Sequence, residues 1–498
     1  MNSMPFDETY KGDPFRGDFP ELPDREPEAI AANQVTELTQ LRRQPEVRHE
    51  YLERLQQRVA DTRLQEQRVL EALREEQPPA GDHQDGVVTE FGFLPAEDGF
   101  DTLHVPGEIL IARDDYEPPA DPVRRFPERY ARDYLDSQDV TAAEVDCDEL
   151  RGRVLRLIPA GEPSSEQLAE LARDLRGRGF AASLTNIMPT APVHKTKLGV
   201  LAASAAAATV EVLTESPAAP EDIVLKAGPA KVAIIDTGIT SQTRTDRWLD
   251  GILRPADSID PLYASPADEQ AGILDFEAGH GTFVAGLVQR VAPGADIRVY
   301  RAVASNGIAS EVTVACQMIK AVKDGAEIVN LSLGCQTEDD APPVAIQAAL
   351  DVIAGLEKDL GREVIIVAAA GNFGDERPCW PAAFRRVVSV AALGADWLPT
   401  DWSSRGPWVT CSTLGNDLYS TFVEGQESSQ ADEVPAEFGP NPFAVWSGTS
   451  FAAPQVSGAI ARLHQVDGFP LREALARLLA SGQPVPGAGQ AWKILPGI

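Results

Sequence analysis

Four short segments in the second half of the chain carry residue types suited to proton-transfer chemistry. Asp236 closes the apolar run KVAIID. A carboxylate at a strand end can hold a histidine in one tautomer and stabilise the imidazolium that forms. His280 follows Gly279 and opens HGTFVAG, a helix-start pattern. A helix N-terminus disfavours a charged imidazole, which keeps it a neutral base before reaction. Ser450 lies in SGTSFAAP, where Gly448 and Thr449 allow a tight turn into a helix. Its hydroxyl is then exposed where helix N–H groups face developing negative charge. Asn372 ends AAAGN; its amide can donate to an oxyanion, and Gly371 lets the backbone pass close to a substrate. Each segment alone is more often a cap or a turn. Their joint occurrence, in the order Asp, His, Asn, Ser, is what carries information.

The elements around them must bring these residues together. From Lys231 onward, apolar runs at 231–239, 296–303, 326–334, 363–372 and 387–394 alternate with helical stretches near 280–291, 311–324, 342–360 and 449–465. Such alternation predicts an α/β fold with a mostly parallel sheet and helices on both faces. The site then belongs at the carboxyl ends of the strands.

The segments IIDTGI, GHGTFVAG, NLSLG, AAAGN and SGTSFAAP resemble the signature blocks of the subtilisin-like serine peptidases, the subtilases, over about 230–465. The resemblance implies Asp236, His280 and Ser450 as a catalytic triad and Asn372 as oxyanion donor. It implies hydrolysis of polypeptide substrates through an acyl-enzyme. The related sedolisins would carry a glutamate for the histidine and an aspartate for the asparagine; neither is present. Ser332, Leu333 and Gly334 resemble the segment that pairs with extended substrate. Ala369, Ala370 and Gly371 resemble the other wall of the primary specificity pocket. Plain core packing is the alternative for Leu333 and the alanines. Bound calcium is frequent in that family, but the acidic loops at 257–260 and 338–340 lack a ligand spacing and read as solvated charge. No metal or cofactor is expected.

The preceding half is organised differently. Residues 1–27 read as a disordered acidic tail, and 28–77 as a helical segment with a possible coiled coil for self-association. Residues 90–190 read as a small α+β domain, with strands at 107–115, 153–159 and 180–189 and helices near 127–137 and 164–179. An Ala- and Pro-rich connector follows over 191–229. Many subtilases carry a small α+β prodomain that chaperones folding and inhibits the site, and 90–190 has a suitable size. The peptidase part, 230–498, contains an acidic stretch at 415–442 that reads as a surface loop.

Composition narrows the classes. The chain has 498 residues, 44 Lys+Arg against 76 Asp+Glu, and a net charge of -32. An acid excess of this size, with no basic patch, argues against nucleic acid. The apolar tract near 200–210 is too short to span a bilayer, so no membrane is expected. The five cysteines, at 147, 316, 335, 379 and 411, are read as reduced, mostly buried thiols, with a Cys379–Cys411 bridge as alternative. The start MNSMPFDETYKGDPF has no apolar core of a signal peptide, so the expected location is cytoplasmic. The leading expectation is a serine endopeptidase regulated by its N-terminal region. The competing one is an interaction protein on a subtilase scaffold with little proteolytic activity.

Overall fold

The computed structural model describes residues 91–94, 102–117, 130–136, 138–190, 194–197, 224–394, 396–428 and 435–495. The expected tail at 1–27, the helical segment at 28–77 with its self-association, and most of the connector lie outside the described residues.

An eight-stranded sheet forms the centre of the second half. In chain order its strands are β7 (Lys231–Asp236), β8 (Asp296–Arg301), β9 (Ile328–Leu331), β10 (Ile365–Ala369), β11 (Val387–Leu393), β12 (Cys411–Leu414), β15 (Gln483–Val485) and β16 (Gly489–Trp492). The spatial order is β15-β16-β12-β11-β10-β9-β7-β8. All neighbouring pairs are parallel except the terminal hairpin β15–β16. Both faces are covered, so the strands are apolar at successive positions and not only at alternate ones. In β7, Val232 and Ile234 join one core while Ala233 and Ile235 join the other.

The first core is completed by α2 (His280–Val291) and α5 (Thr449–Asp467), and the second by α3 (Glu311–Lys323) and α4 (Val344–Leu360). The expected α/β architecture is therefore present. The sequence reading missed β12, the terminal hairpin and the helix α6 (Leu471–Ser481).

A second, smaller sheet lies over α3 and α4. It comprises β1 (Gly92–Leu94), β2 (Thr102–Ala112), β3 (Val140–Glu144), β4 (Val154–Pro159) and β5 (Ala182–Asn186). Ile109, Ile111, Leu155 and Leu157 face α1 (Ser165–Gly177), whereas Leu110, Val145, Leu150 and Val154 join the core of α3 and α4. α1 starts at a capping box in which Ser164 and Gln167 satisfy each other's backbone N–H.

Three expectations are corrected. The stretch 415–442 is not a surface loop throughout. β13 (Leu418–Thr421) pairs with β14 (Phe443–Ser447), and Leu418, Tyr419, Phe422 and Val423 are buried. Ser420 Oγ and Thr421 Oγ1 donate to the carbonyls of Phe283 and Thr282 on α2 at 2.7 and 3.1 Å. The abundant acids around this apolar run concealed it.

The connector is not wholly a linker, since β6 (His194–Lys197) pairs antiparallel with β14. Finally, Cys147 and Cys316 form a disulfide between the small domain and α3, and Cys335, Cys379 and Cys411 are free buried thiols. The turn at Asp148–Leu150 packs on α3, which brings together two cysteines separated by 169 positions.

Candidate active site

Asp236 ends β7 and is completely buried. Its Oδ1 accepts from His280 Nδ1 at 2.7 Å and from the Thr237 N–H at 2.8 Å. His280 is the first residue of α2, and Gly279 before it takes a left-handed φ of 81°. A Cβ there would press on Val423 and Phe422, so the tight entry into α2 calls for glycine.

Burial works against a charged imidazole. The charge and hydrogen bond of Asp236, with smaller help from Glu277 and Asp260, outweigh it and hold His280 above its ordinary pKa. Nε2 is buried and has no hydrogen-bond partner among the described residues. The ring lies against Trp446 and Phe451, with centroids 5.3 and 5.2 Å away. Phe451 directly follows Ser450 and Trp446 lies four residues before it, so the imidazole packs against the chain segment that carries Ser450.

Ser450 is the second residue of α5. Its Oγ donates to the Ser332 carbonyl at 2.9 Å, and Ser332 Oγ donates to the Ser450 carbonyl at 2.6 Å. Asn372 follows β10. Its Oδ1 accepts from the N–H and the hydroxyl of Thr449 at 3.0 and 2.8 Å. Thr449 Oγ1 in turn accepts from the Gly371 N–H at 3.1 Å. With its carbonyl oxygen held by Thr449, the amide presents its NH2 end on the opposite side. In the sequence Thr449 figures only as part of the tight turn before Ser450; its hold on the Asn372 carbonyl oxygen emerges from the structure.

The wall residues separate into two groups. Leu333, Ala369 and Ala370 are buried apolar core residues. Ser332, Gly334 and Gly371 act through backbone groups: the Ser332 carbonyl accepts from Ser450, and the N–H groups of Gly334 and Gly371 donate to Pro189 and Thr449. The chain's own segment 187–190 lies against this wall. Met188 N–H donates to the Ala309 carbonyl at 2.7 Å, Thr190 N–H to the Gly307 carbonyl at 2.9 Å, and Gly334 N–H to the Pro189 carbonyl at 3.2 Å. Further along, β6 pairs with β14, the strand that leads into Ser450. Residues 187–190 are thus bound to the loops at Gly307–Ala309 and Gly334, and the connector strand β6 to the strand that leads into Ser450.

The acidic loops are solvated charge only in part: Asp257 and Asp339 are exposed and Asp340 partly so, as expected, whereas Asp260 and Glu338 are buried. Asp257 pairs with Lys320 at 2.8 Å. Glu338 is buried and bound by Arg173 and Arg176, and Asp340 pairs with Arg377 at 3.0 Å. Asp260 is buried and accepts hydrogen bonds from Gly279, Leu262 and Thr237. Carboxylates taken up by N–H, O–H and arginine donors do not suit calcium, which needs several free oxygens converging on one point.

A model of the subtilase family matches residues 228–479, about half of the chain. A thermophilic serine proteinase of Bacillus sp. (strain AK1) is 29% identical over 281 residues, covering 55% of this chain and 61% of that protein. A thermostable alkaline protease of Halalkalibacterium halodurans is 28% identical over 241 residues, covering 47% of this chain and 56% of that protein. Thermitase of Thermoactinomyces vulgaris is 26% identical over 273 residues, covering 53% of this chain and 84% of thermitase. The chain thus spans about three-fifths of the length of the first two relatives.

Proposed function

This chain belongs to the subtilase family, and from that premise we propose that it is a serine endopeptidase acting on polypeptides, with Asp236, His280 and Ser450 as triad. The observation that carries the reading is the buried 2.7 Å bond between His280 Nδ1 and Asp236 Oδ1. It leaves Nε2 as the acceptor, on a ring packed against Phe451, the residue after Ser450.

In this mechanism His280 takes the Ser450 proton as Oγ attacks a peptide carbonyl. Oγ must first leave the Ser332 carbonyl, which a rotation about one side-chain bond achieves. The oxyanion that develops is met by the Asn372 NH2 group and the Ser450 N–H at the start of α5. His280 then passes its proton to the leaving amine, and water resolves the acyl-enzyme by the same relay.

We further propose regulation by the N-terminal region. Support comes from residues 187–190, whose backbone bonds to Gly307, Ala309 and Gly334 are those an extended substrate would make by strand addition. In this reading a substrate displaces the segment as it takes up the same backbone bonds.

A fluorophosphonate probe tests the central reading. Labelling of the folded chain that disappears in Ser450→Ala is expected. Absence of labelling from the folded chain, including preparations cut between the two halves, would refute the endopeptidase.

A further inference from the structure

We propose that Asp260 is a positioning residue for the Asp236–His280 pair: its carboxylate ties together the two loops that present them and adds a further negative charge near the imidazole. The inference rests on the endopeptidase reading and deepens it.

The geometry is specific. Asp260 is 1% exposed. Its Oδ2 accepts from Thr237 Oγ1 and from the Gly279 N–H, both at 2.9 Å, while its Oδ1 accepts from the Leu262 N–H at 3.1 Å. Thr237 directly follows Asp236, and Gly279 directly precedes His280. One carboxylate oxygen therefore joins the residue after one triad member to the residue before the other. Thr237 Oγ1 also accepts from the Gly281 N–H at 3.1 Å, so the bonded pair Asp260–Thr237 holds both neighbours of His280.

The backbone around this point is interlocked. Ile239 N–H donates to the Ser258 carbonyl at 2.8 Å, and Asp260 N–H returns a bond to the Ile239 carbonyl at 3.0 Å. A Cβ on Gly238 would lie 2.7 Å from both Asp260 N and Ser258 O, and one on Gly281 would strike the Gly238 carbonyl. The three loops thus meet backbone to backbone, with the Asp260 carboxylate as the side-chain link between them. A link of this kind fixes the ring orientation without touching the reacting atoms.

The charge matters as well. The ionisable groups around His280 are Asp236, Glu277 and Asp260, all acidic, and each favours the imidazolium that forms in the reaction. Burial pushes the Asp260 carboxyl up to about 6 against the pull of its three donors, with Asp236 adding to the rise. The three donors favour the ionised form, which is the form that acts on His280.

Two variants of the full chain separate geometry from charge. Asp260→Asn keeps the shape and removes the charge; Thr237→Val keeps the charge and cuts the link. In a Ser450→Ala background, the His280 imidazole is titrated by NMR. In the Ser450 chain, the rate of fluorophosphonate labelling is followed against pH. Asp260→Asn should lower the His280 midpoint by about half a unit to one unit and slow labelling roughly tenfold or more. Thr237→Val should leave the midpoint in place and slow labelling about threefold to tenfold.

A His280 midpoint unmoved in Asp260→Asn, with labelling within about twofold of the unmodified chain, would overturn the inference. If Asp260→Asn does not fold, Thr237→Val decides, and an unchanged labelling rate overturns it. If no form is labelled, the endopeptidase reading fails, and the NMR midpoint still decides whether Asp260 acts on His280.

Discussion

Ser332 and Ser450 are joined twice: Ser450 Oγ donates to the Ser332 carbonyl at 2.9 Å, and Ser332 Oγ donates to the Ser450 carbonyl at 2.6 Å. The second bond has a cause four residues downstream. Pro454 lies inside α5 and has no N–H to give to the carbonyl of residue 450, as a helix would otherwise require. Ser332 supplies the missing donor. It is held in turn by Asn330 Nδ2 at 2.9 Å, and Asn330 Oδ1 accepts from Ser457 Oγ at 2.9 Å.

Ser332→Ala should therefore leave a buried carbonyl unpaired and cost about 1–3 kcal/mol of stability. Adding Pro454→Ala restores a helical donor to that carbonyl, so the double variant should regain part of the loss. Urea unfolding of the single and double variants measures this. A double variant no more stable than Ser332→Ala would show that the Ser450 carbonyl is not the group that suffers.

Asn372 carries a different prediction. If its NH2 group meets the oxyanion, Asn372→Ala should lose about 2.7–4 kcal/mol of transition-state stabilisation, or roughly a hundredfold to a thousandfold in turnover. Thr449→Val removes the hydroxyl that holds the Asn372 carbonyl oxygen at 2.8 Å but leaves the amide in place, and should cost less, about tenfold. Turnover of a fluorogenic peptide by both variants checks the order. Near-normal turnover in Asn372→Ala would remove that residue from the mechanism.

These residues differ in how far the sequence discloses them. Asp236, His280, Asn372 and Ser450 were legible because each stands beside glycine or threonine in a turn that joins an apolar strand or helix. The sheet was legible because strands buried on both faces, such as KVAIID, are apolar without alternation. Asp260 and Glu311 were not legible. Each looks like an ordinary surface acid, and its partners are backbone N–H groups of Gly279, Leu262 or Ala345, which no side-chain pattern announces. The buried run Leu418–Thr421 was hidden for a related reason, since its packing on α2 outweighs the polarity of its flanks. The Cys147–Cys316 pairing depends on how two domains dock, which spacing along the chain does not encode.

Glu311 predicts a pH dependence of that docking. It is fully buried at the start of α3 and accepts from Asn186 N–H and Nδ2 at 2.9 and 2.8 Å and from Ala345 N–H at 2.9 Å. Asn186 belongs to the small domain, directly before the segment in the cleft. Burial raises the Glu311 carboxyl from 4.5 to about 7, against the pull of these donors. The docked state thus binds the proton more tightly than a solvated carboxyl does. Its contribution is complete below about pH 4.5 and is lost as pH rises through about 7, a change on the order of 3 kcal/mol at most. Hydrogen exchange at the amides of Asn186, Met188 and Thr190, corrected for intrinsic rates, should show stronger protection at pH 5 than at pH 8. Glu311→Gln should flatten the difference. Equal dependence in the unmodified chain and Glu311→Gln would assign it to another group.

The Cys147–Cys316 disulfide adds a covalent tie between the small domain and α3, independent of the connector. If the connector is cut, the small domain stays beside the cleft at an effective concentration on the order of millimolar, and its segment at 187–190 can rebind. Reduction of the disulfide to two thiols removes that advantage. A reducing compartment would favour the open tie, whereas an oxidising one would keep it closed. The prediction is tested with a site-specific protease recognition sequence inserted in the connector between Ala206 and Ala207. After cutting, the oxidised protein should keep its small domain through dilution and gel filtration and remain slow in fluorophosphonate labelling. Treatment with a phosphine reductant, or the Cys316→Ser variant without reductant, should release the small domain and raise labelling about tenfold or more. Equal retention and equal labelling in all three preparations would show that contacts such as Asn186–Glu311, and not the disulfide, decide whether the cleft is occupied.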